Sequence, residues 1–81
     1  MPTILRENGF RVVIYPNDHV PAHVHVLKGG AEIRIDLGNE QNAPKLMTIR
    51  GSISNKEVAK ALELVKKNQA KCLEKWREIH E

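Results

Sequence analysis

The pattern of apolar and polar residues changes once along the chain, close to Ser52. Before that point, short apolar segments are separated by turn residues, which is typical of β-strands in a sheet. After it, apolar residues recur at helical spacing, and neither Gly nor Pro interrupts the segment. The sequence therefore predicts an α+β fold in a single domain over residues 1–81, with a β-rich sheet at 1–50 and a C-terminal helix at 54–80.

Two turn signals divide the β-rich part into strands. Asn8-Gly9 and Gly29-Gly30 are dipeptides that readily adopt the positive φ angles of a two-residue hairpin turn. We expect a four- or five-stranded, mainly antiparallel sheet with one long helix packed on one face. The predicted strands lie at 3–6, 10–15, 23–28 and 31–37, with 45–50 as the candidate fifth strand.

The Gly29-Gly30 turn also predicts the register of the strands on either side of it. With a two-residue loop, Val24 and Val26 face Ile35 and Ile33, so these apolar side chains share the core face. A slip of one residue would move every side chain to the other face, so the pattern specifies this register. The pairs predicted on the opposite face are Leu27 with Glu32, His25 with Arg34, and His23 with Asp36.

The first turn signal has a different consequence, because arginines flank it. Arg6 and Arg11 would face each other across a two-residue turn at Asn8-Gly9, and like charges directly opposite each other destabilise a hairpin. An anion could relieve that repulsion. We expect instead a three-residue loop that separates the two side chains.

The C-terminal helix begins with a capping box, in which Ser54 and Glu57 can each bond the other's backbone amide. Unbroken, its roughly 26 residues would extend about 39 Å, whereas a compact domain of this size is about 30 Å across. The helix would then overhang the sheet, unless Asn68-Gln69 marks a bend. The overhanging end would need a partner surface, and its apolar residues are Leu73, Trp76 and Ile79.

Composition narrows the class of protein. The chain has 81 residues, of which 41% are hydrophobic and 28% charged, as in globular domains. A core this small supplies little net stability, and Cys72 is the only cysteine, so a metal or a partner is a candidate source of the rest. No apolar run approaches the roughly 20 residues of a membrane helix. The lone thiol and the absence of a secretory signal predict a cytoplasmic protein.

Charge and motifs are less informative. The net charge is +3, and both signs are mixed along the whole chain, so no basic arm stands out. The sequence contains no phosphate-binding glycine loop, no dinucleotide fingerprint and no paired-cysteine zinc motif. The candidate chemistry therefore lies in the histidines. Three of the four are grouped at His19, His23 and His25, whereas His80 lies in the last helical turn.

The histidine group supports three alternatives. In the first, Asp36 orients His23 as a general base, His25 acts as the acid, and Arg34 binds a phosphate, which suits metal-independent phosphodiester cleavage. In the second, His23 and His25 bind a divalent transition metal, with His19 or Asp36 as the third ligand, although the positive charge of Arg34 disfavours a metal beside it. In the third, these residues form a solvated polar face whose pairs stabilise the sheet by roughly a few tenths of a kcal/mol each.

Several of these residues resemble a known family. The block His19-x-Pro21-x-His23-Val24-His25-Val26, the opening Met1-Pro2-Thr3-Ile4, Tyr15, and a terminal helix with Trp76 are similar to the bacterial family catalogued as domain of unknown function 4160. The resemblance covers nearly the whole chain. Ala22 and Val24 stand where many members carry a proline and an aromatic residue, but the spacing of the histidines is kept.

The resemblance implies a small cytoplasmic component of a toxin–antitoxin-like module. Such a protein would act with a partner encoded nearby or with a second copy of itself, and not with a membrane. If the chain is the toxin, we expect ribonuclease activity from His23, His25, Arg34 and Asp36. The alternatives are a non-enzymatic module that binds its partner through Leu73, Trp76 and Ile79, and a histidine-based metal-binding protein.

Overall fold

The computed structural model describes residues 3–80; Met1, Pro2 and Glu81, which belong to the predicted domain, lie outside them. Five strands form one antiparallel sheet, in which each strand pairs with its neighbours in the sequence. The predicted α+β class and the fifth strand are confirmed. The elements are β1 (Thr3–Glu7), β2 (Phe10–Val13), β3 (His23–Lys28), β4 (Ala31–Asp36), β5 (Lys45–Arg50), α1 (Asn55–Lys67) and α2 (Gln69–His80).

The two hairpin turns set the register of the sheet. Asn8 and Gly9 have φ angles of 53° and 82°, so both residues of the first turn adopt the left-handed conformation. Arg6 therefore pairs directly with Arg11, and the three-residue loop expected there is wrong. The register predicted around the second turn is confirmed, since β3 and β4 form all five of the pairs given above, and Lys28 pairs with Ala31 next to the turn.

The core lies between one face of the sheet and the helices. Valines and isoleucines of the central strands alternate onto this face and are fully buried. Helix α1 covers them with Ala61, Leu64 and Val65. Burying one such aliphatic side chain contributes about 1.5–3 kcal/mol to the free energy of unfolding. The apolar side chains of β2, β3 and β4 therefore hold α1 against the sheet.

The start of α1 forms half of the predicted capping box. The Ser54 hydroxyl accepts a hydrogen bond from the Glu57 amide at 3.2 Å. The Glu57 carboxylate, however, accepts from the Lys28 ammonium at 2.6 Å. This hydrogen bond lowers the pKa of Glu57. The second half of the box is thus replaced by a contact that joins the helix to β3.

The helical segment is broken into two helices at Asn68, so the prediction of one long helix is wrong. The Asn68 side chain donates to the Leu64 carbonyl at 2.9 Å and ends α1. The side-chain amide of Gln69 then lies 2.7–3.0 Å from the carbonyl oxygens of Leu37, Asn39 and Asn42. Among the described residues, neither helix is long and apolar enough to span a membrane.

The break removes the predicted overhang. Residues 3–80 extend 34 × 28 × 20 Å, with a radius of gyration of 11.6 Å. Leu73 and Ile79 pack against the core cluster, and Trp76 belongs to it. The second half of the helical segment thus folds back on its own sheet.

We predict that Gln69→Ala destabilises the protein. The substitution removes the side-chain donor of the part-buried Leu37 carbonyl, whereas the Asn39 and Asn42 carbonyls keep each other's backbone amides as donors. The loss costs about 1–3 kcal/mol of unfolding free energy and about 4–8 °C in Tm per kcal/mol. Urea and thermal unfolding measure both. Gln41→Ala is the matched control, because Gln41 is exposed and contributes its backbone amide to the loop. Equal stability of the two variants would contradict the bridging role.

Candidate metal centre

The loop between β2 and β3 folds Asp18 over the histidine side of the sheet. A turn fixes this loop, because the Asp18 amide donates to the Tyr15 carbonyl at 3.0 Å. The Asp18 carboxylate in turn accepts from the Tyr15 amide at 3.1 Å. Asp18 is therefore held by two backbone contacts before it meets any histidine.

The two histidines of β3 share the sheet face opposite the core, as the alternation predicts. Contrary to a solvated polar face, both are buried, with His23 4% and His25 5% exposed. Their ring centroids are 5.1 Å apart. Tyr15 packs on His25 with centroids 4.7 Å apart, and Trp76 packs on His23 at 5.4 Å. The aromatic rings thus shield both imidazoles from water.

The Nδ1 atom of each ring faces an acceptor. His23 Nδ1 lies 2.9 Å from the Pro21 carbonyl, and His25 Nδ1 lies 2.7 Å from a carboxylate oxygen of Glu32. A carbonyl and a carboxylate only accept, so each Nδ1 must carry a proton and donate. These contacts assign the tautomers and direct the Nε2 atoms of both rings into the site.

The two Nε2 atoms converge on a single carboxylate oxygen. Asp18 Oδ2 is 3.1 Å from His25 Nε2 and 3.6 Å from His23 Nε2. All three atoms lie within 4.8 Å of one another. Ligands about 2.1 Å from a tetrahedral metal are about 3.4 Å apart, so the distances from Asp18 Oδ2 to the two nitrogens fit a shared cation. A proton or a cation must lie between His25 Nε2 and Asp18, because Nδ1 already donates.

The structure distributes the predicted catalytic residues differently. Asp36 is the cross-strand neighbour of His23, as predicted. Its carboxylate, however, accepts from the Gly38 amide at 2.8 Å, whereas His23 Nδ1 faces Pro21. The carboxylates that contact the two rings are those of Asp18 and Glu32 instead. Arg34 lies directly opposite His25 on β4.

His19, the third predicted metal ligand, does not belong to the group. Its side chain is exposed, whereas the three converging residues are Asp18, His23 and His25. Asp18 takes the place that the sequence analysis gave to His19. The loop turn at Tyr15 explains the difference, because it orients the carboxylate toward β3.

Asp18 and Glu32 are not among the site residues predicted from the sequence, although the predicted register contained a signal for one of them. Glu32 is the diagonal neighbour of His25 across the hairpin, within reach of a long side chain. Asp18 had no such signal. Its position depends on how the loop of residues 14–22 folds, and no periodicity specifies that.

The apolar residues predicted to bind a partner are engaged within the chain. Trp76 is 7% exposed and stacks on His80 with ring centroids 3.8 Å apart. His80, in the last turn of α2, thus covers the indole. The large exposed apolar side chains of the described residues lie elsewhere, mostly on the edge strand β5: Leu46, Met47 and Ile49, with Val20 in the loop.

Cys72 contributes no chemistry to this site. Its side chain is fully buried in the core, and burial raises the pKa of the thiol to about 11. A thiol with so high a pKa is almost entirely protonated at neutral pH and is therefore a poor nucleophile.

Comparison with known proteins gives a family but no activity. The model of a family described as a domain of unknown function (DUF4160) matches residues 9–77. That range contains both histidines of β3, Asp18 and Glu32. No curated protein and no solved structure matches the chain.

We predict that Asp18→Ala destabilises the protein even in the presence of a chelator. The substitution removes the acceptor of the Tyr15 amide and the partner of His25 Nε2, at a cost of about 2 kcal/mol of unfolding free energy. Urea unfolding in EDTA measures it. The neighbouring exposed residue Asn17 supplies the control, since Asn17→Ala should change stability by less than about 0.5 kcal/mol. The bridging role fails if both variants unfold at the same urea concentration.

Proposed function

Because the chain belongs to the DUF4160 family, whose description gives no activity, we propose its function from the site itself: Asp18, His23 and His25 bind a divalent transition metal. The observation that carries the proposal is the convergence of two Nε2 atoms on one Asp18 oxygen, while both Nδ1 atoms face acceptors. Such outer acceptors orient metal-binding histidines and fix their tautomer in known metal sites.

The unpaired state of His23 supports the same proposal. His23 Nε2 is buried and has no hydrogen-bond partner among residues 3–80. A buried polar atom left without a partner costs about 1–3 kcal/mol. A metal ion bound to this nitrogen would remove that cost, and it would also satisfy the Asp18 oxygen that faces both rings.

The carboxylates around the site offset the repulsion that Arg34 would exert on a metal cation. A divalent ion among neutral imidazoles is balanced by the carboxylates of Asp18 and Glu32, which both contact His25. The site is therefore close to neutral when it is loaded. Arg34 then faces a neutral centre, so its positive charge no longer opposes the ion.

The donor set indicates the class of metal. Two imidazole nitrogens and one carboxylate oxygen suit Zn²⁺ and also other first-row metals such as Fe²⁺ or Ni²⁺. Three protein ligands leave a coordination position for water, an arrangement typical of catalytic rather than structural zinc. The side chain of Asp18 is 12% exposed and is the ligand that borders solvent. A loaded site of this kind supports hydrolytic chemistry.

The toxin–antitoxin-like role and the partner protein stay predictions, as does the cytoplasmic location. The ribonuclease hypothesis also stays a prediction, with altered roles for its residues. His23 and His25 now direct the same nitrogen into one site with Asp18. Two such imidazoles suit a shared metal better than an acid and a base on opposite sides of a phosphate.

We predict that the untagged protein binds zinc with one-to-one stoichiometry. At a free zinc concentration about 100 times the Kd, binding adds about 2.7 kcal/mol of stability, which raises Tm by roughly 10–20 °C. Differential scanning fluorimetry measures the shift, and competition with a chromophoric chelator measures the affinity. Substitution of Co²⁺ provides an absorption spectrum that reports the number of ligands.

Three variants separate the proposed ligands from the nearby histidine. His25→Ala and Asp18→Asn should each abolish the zinc-dependent rise in Tm, whereas His19→Ala should retain it. Circular dichroism checks that each variant folds. If zinc, nickel and cobalt leave Tm of the folded wild type unchanged, or if His19→Ala alone loses binding, the proposal is wrong.

A further inference from the structure

The sheet face opposite the core carries most of the positive charge of the β-rich part. We call it the polar face, and it contains the metal centre at one end. Cross-strand pairing places Arg6, Arg11, Leu27, Glu32 and Arg50 in one row across all five strands. In the next row Arg34 stands between His25 and Thr48, and in the third Lys45 pairs with Asp36 in register.

The cations of this face lack internal partners. None of the five forms a salt bridge with another of the residues 3–80. The Nε atoms of Arg11 and Arg34 are buried without a hydrogen-bond partner in the same part of the chain. Lys28, by contrast, lies on the core side of the sheet and is paired with Glu57. The five cations are Arg6, Arg11, Arg34, Lys45 and Arg50.

The two carboxylates that the strands contribute to this face are bound elsewhere. Glu32 contacts His25 Nδ1 at 2.7 Å, and Asp36 accepts from the Gly38 amide at 2.8 Å. Each could have paired with Arg34, which lies between them on β4, but neither does. The face therefore presents free guanidinium groups, although the sequence around them contains both signs of charge.

The dimensions of the face suit an extended anion. Five strands about 4.8 Å apart span about 19 Å, which equals the length of five to six nucleotides at about 3.4 Å per nucleotide in a helical strand. Four of the five cations are arginines, whose planar guanidinium binds phosphate oxygens in a bidentate manner. Arg6 and Arg50, at the two ends of the row, are exposed.

We infer that the polar face binds the phosphate backbone of a single-stranded nucleic acid. Unlike the metal proposal, this inference depends only on the charged residues of the sheet. Within residues 3–80, the face offers the Tyr15 ring beside His25 and no array of aromatic rings on which successive bases could stack. Binding is therefore electrostatic and independent of base sequence, with a Kd of about 10⁻⁴ to 10⁻⁶ M at physiological salt.

Fluorescence anisotropy with a fluorescein-labelled oligouridylate of about 12 nucleotides tests the inference. EDTA is present throughout, so that neither metal binding nor metal-dependent cleavage affects the result. The double variant Arg6→Gln/Arg50→Gln removes the positive charges at the two exposed ends of the row. The control Lys56→Gln/Lys71→Gln removes two exposed charges from the helices and lowers the net charge by the same amount.

The salt dependence of binding shows whether the position of the arginines matters or only the total charge of the protein. Each lost phosphate contact lowers the slope of log K against log salt by about 0.7 for a single strand. The arginine variant should lose about 1.4 from the slope and bind at least about tenfold more weakly near 50 mM salt. The lysine control should keep the wild-type slope.

Three results would overturn the inference. The first is equal weakening by the two double variants, which would mean that only net charge matters. The second is the absence of salt-dependent binding by the wild type. The third is tighter binding of fluorescein-labelled polyglutamate of the same charge, which would identify the face as a surface for an acidic protein segment. Circular dichroism of each variant confirms that the comparisons are made on folded protein.

Discussion

The pairing of β3 with β4 is the constraint on which the rest of the structure depends. A two-residue turn at Gly29-Gly30 fixes this pairing, and every side chain on the two strands is thereby assigned to one face. Val24, Val26, Ile33 and Ile35 are committed to the core. His23, His25, Arg34 and Glu32 are committed to the polar face. A register shifted by one residue would bury the charges and expose the aliphatic side chains.

The polar face is more than the solvated side of a sheet, because part of it is buried. The loop of residues 14–22 covers one end of it with Tyr15 and Asp18, and Trp76 closes the side of His23. These contacts take the imidazoles out of water. Withdrawal from water makes an unpaired ring nitrogen costly, and it makes a bound cation the simplest way to satisfy the ring nitrogens and the Asp18 oxygen together.

The fold also separates charges that the sequence mixes. Lys28 and Glu57 meet between the sheet and α1, and Glu7 meets Lys67 on the same side. Glu32 is held by His25 on the other side of the sheet. With these carboxylates engaged, arginines spread over four different strands remain together on one open face. The proposed metal centre and the proposed phosphate-binding surface thus lie on the same face of the sheet.

The sequence by itself determined the fold class, the hairpin at Gly29-Gly30 and the division of β3 and β4 into two faces. These features depend on local turn chemistry and on a period of two, both of which can be read from neighbouring residues. It also pointed to His23 and His25, which the structure brings together with Asp18. The family model that matches residues 9–77 agrees with the resemblance seen in that histidine block.

Only the tertiary structure decided what the histidines contact and where the helix ends. Asp18 reaches the site through the fold of an irregular loop, and its neighbour His19 stays exposed. The helix breaks at Asn68-Gln69, where the sequence allowed a bend, and Gln69 there bonds carbonyls about 30 residues earlier in the chain, contacts that helical periodicity cannot show. Trp76, expected at an open end, is buried for the same reason. Local patterns specify the elements, whereas contacts between distant segments specify the site.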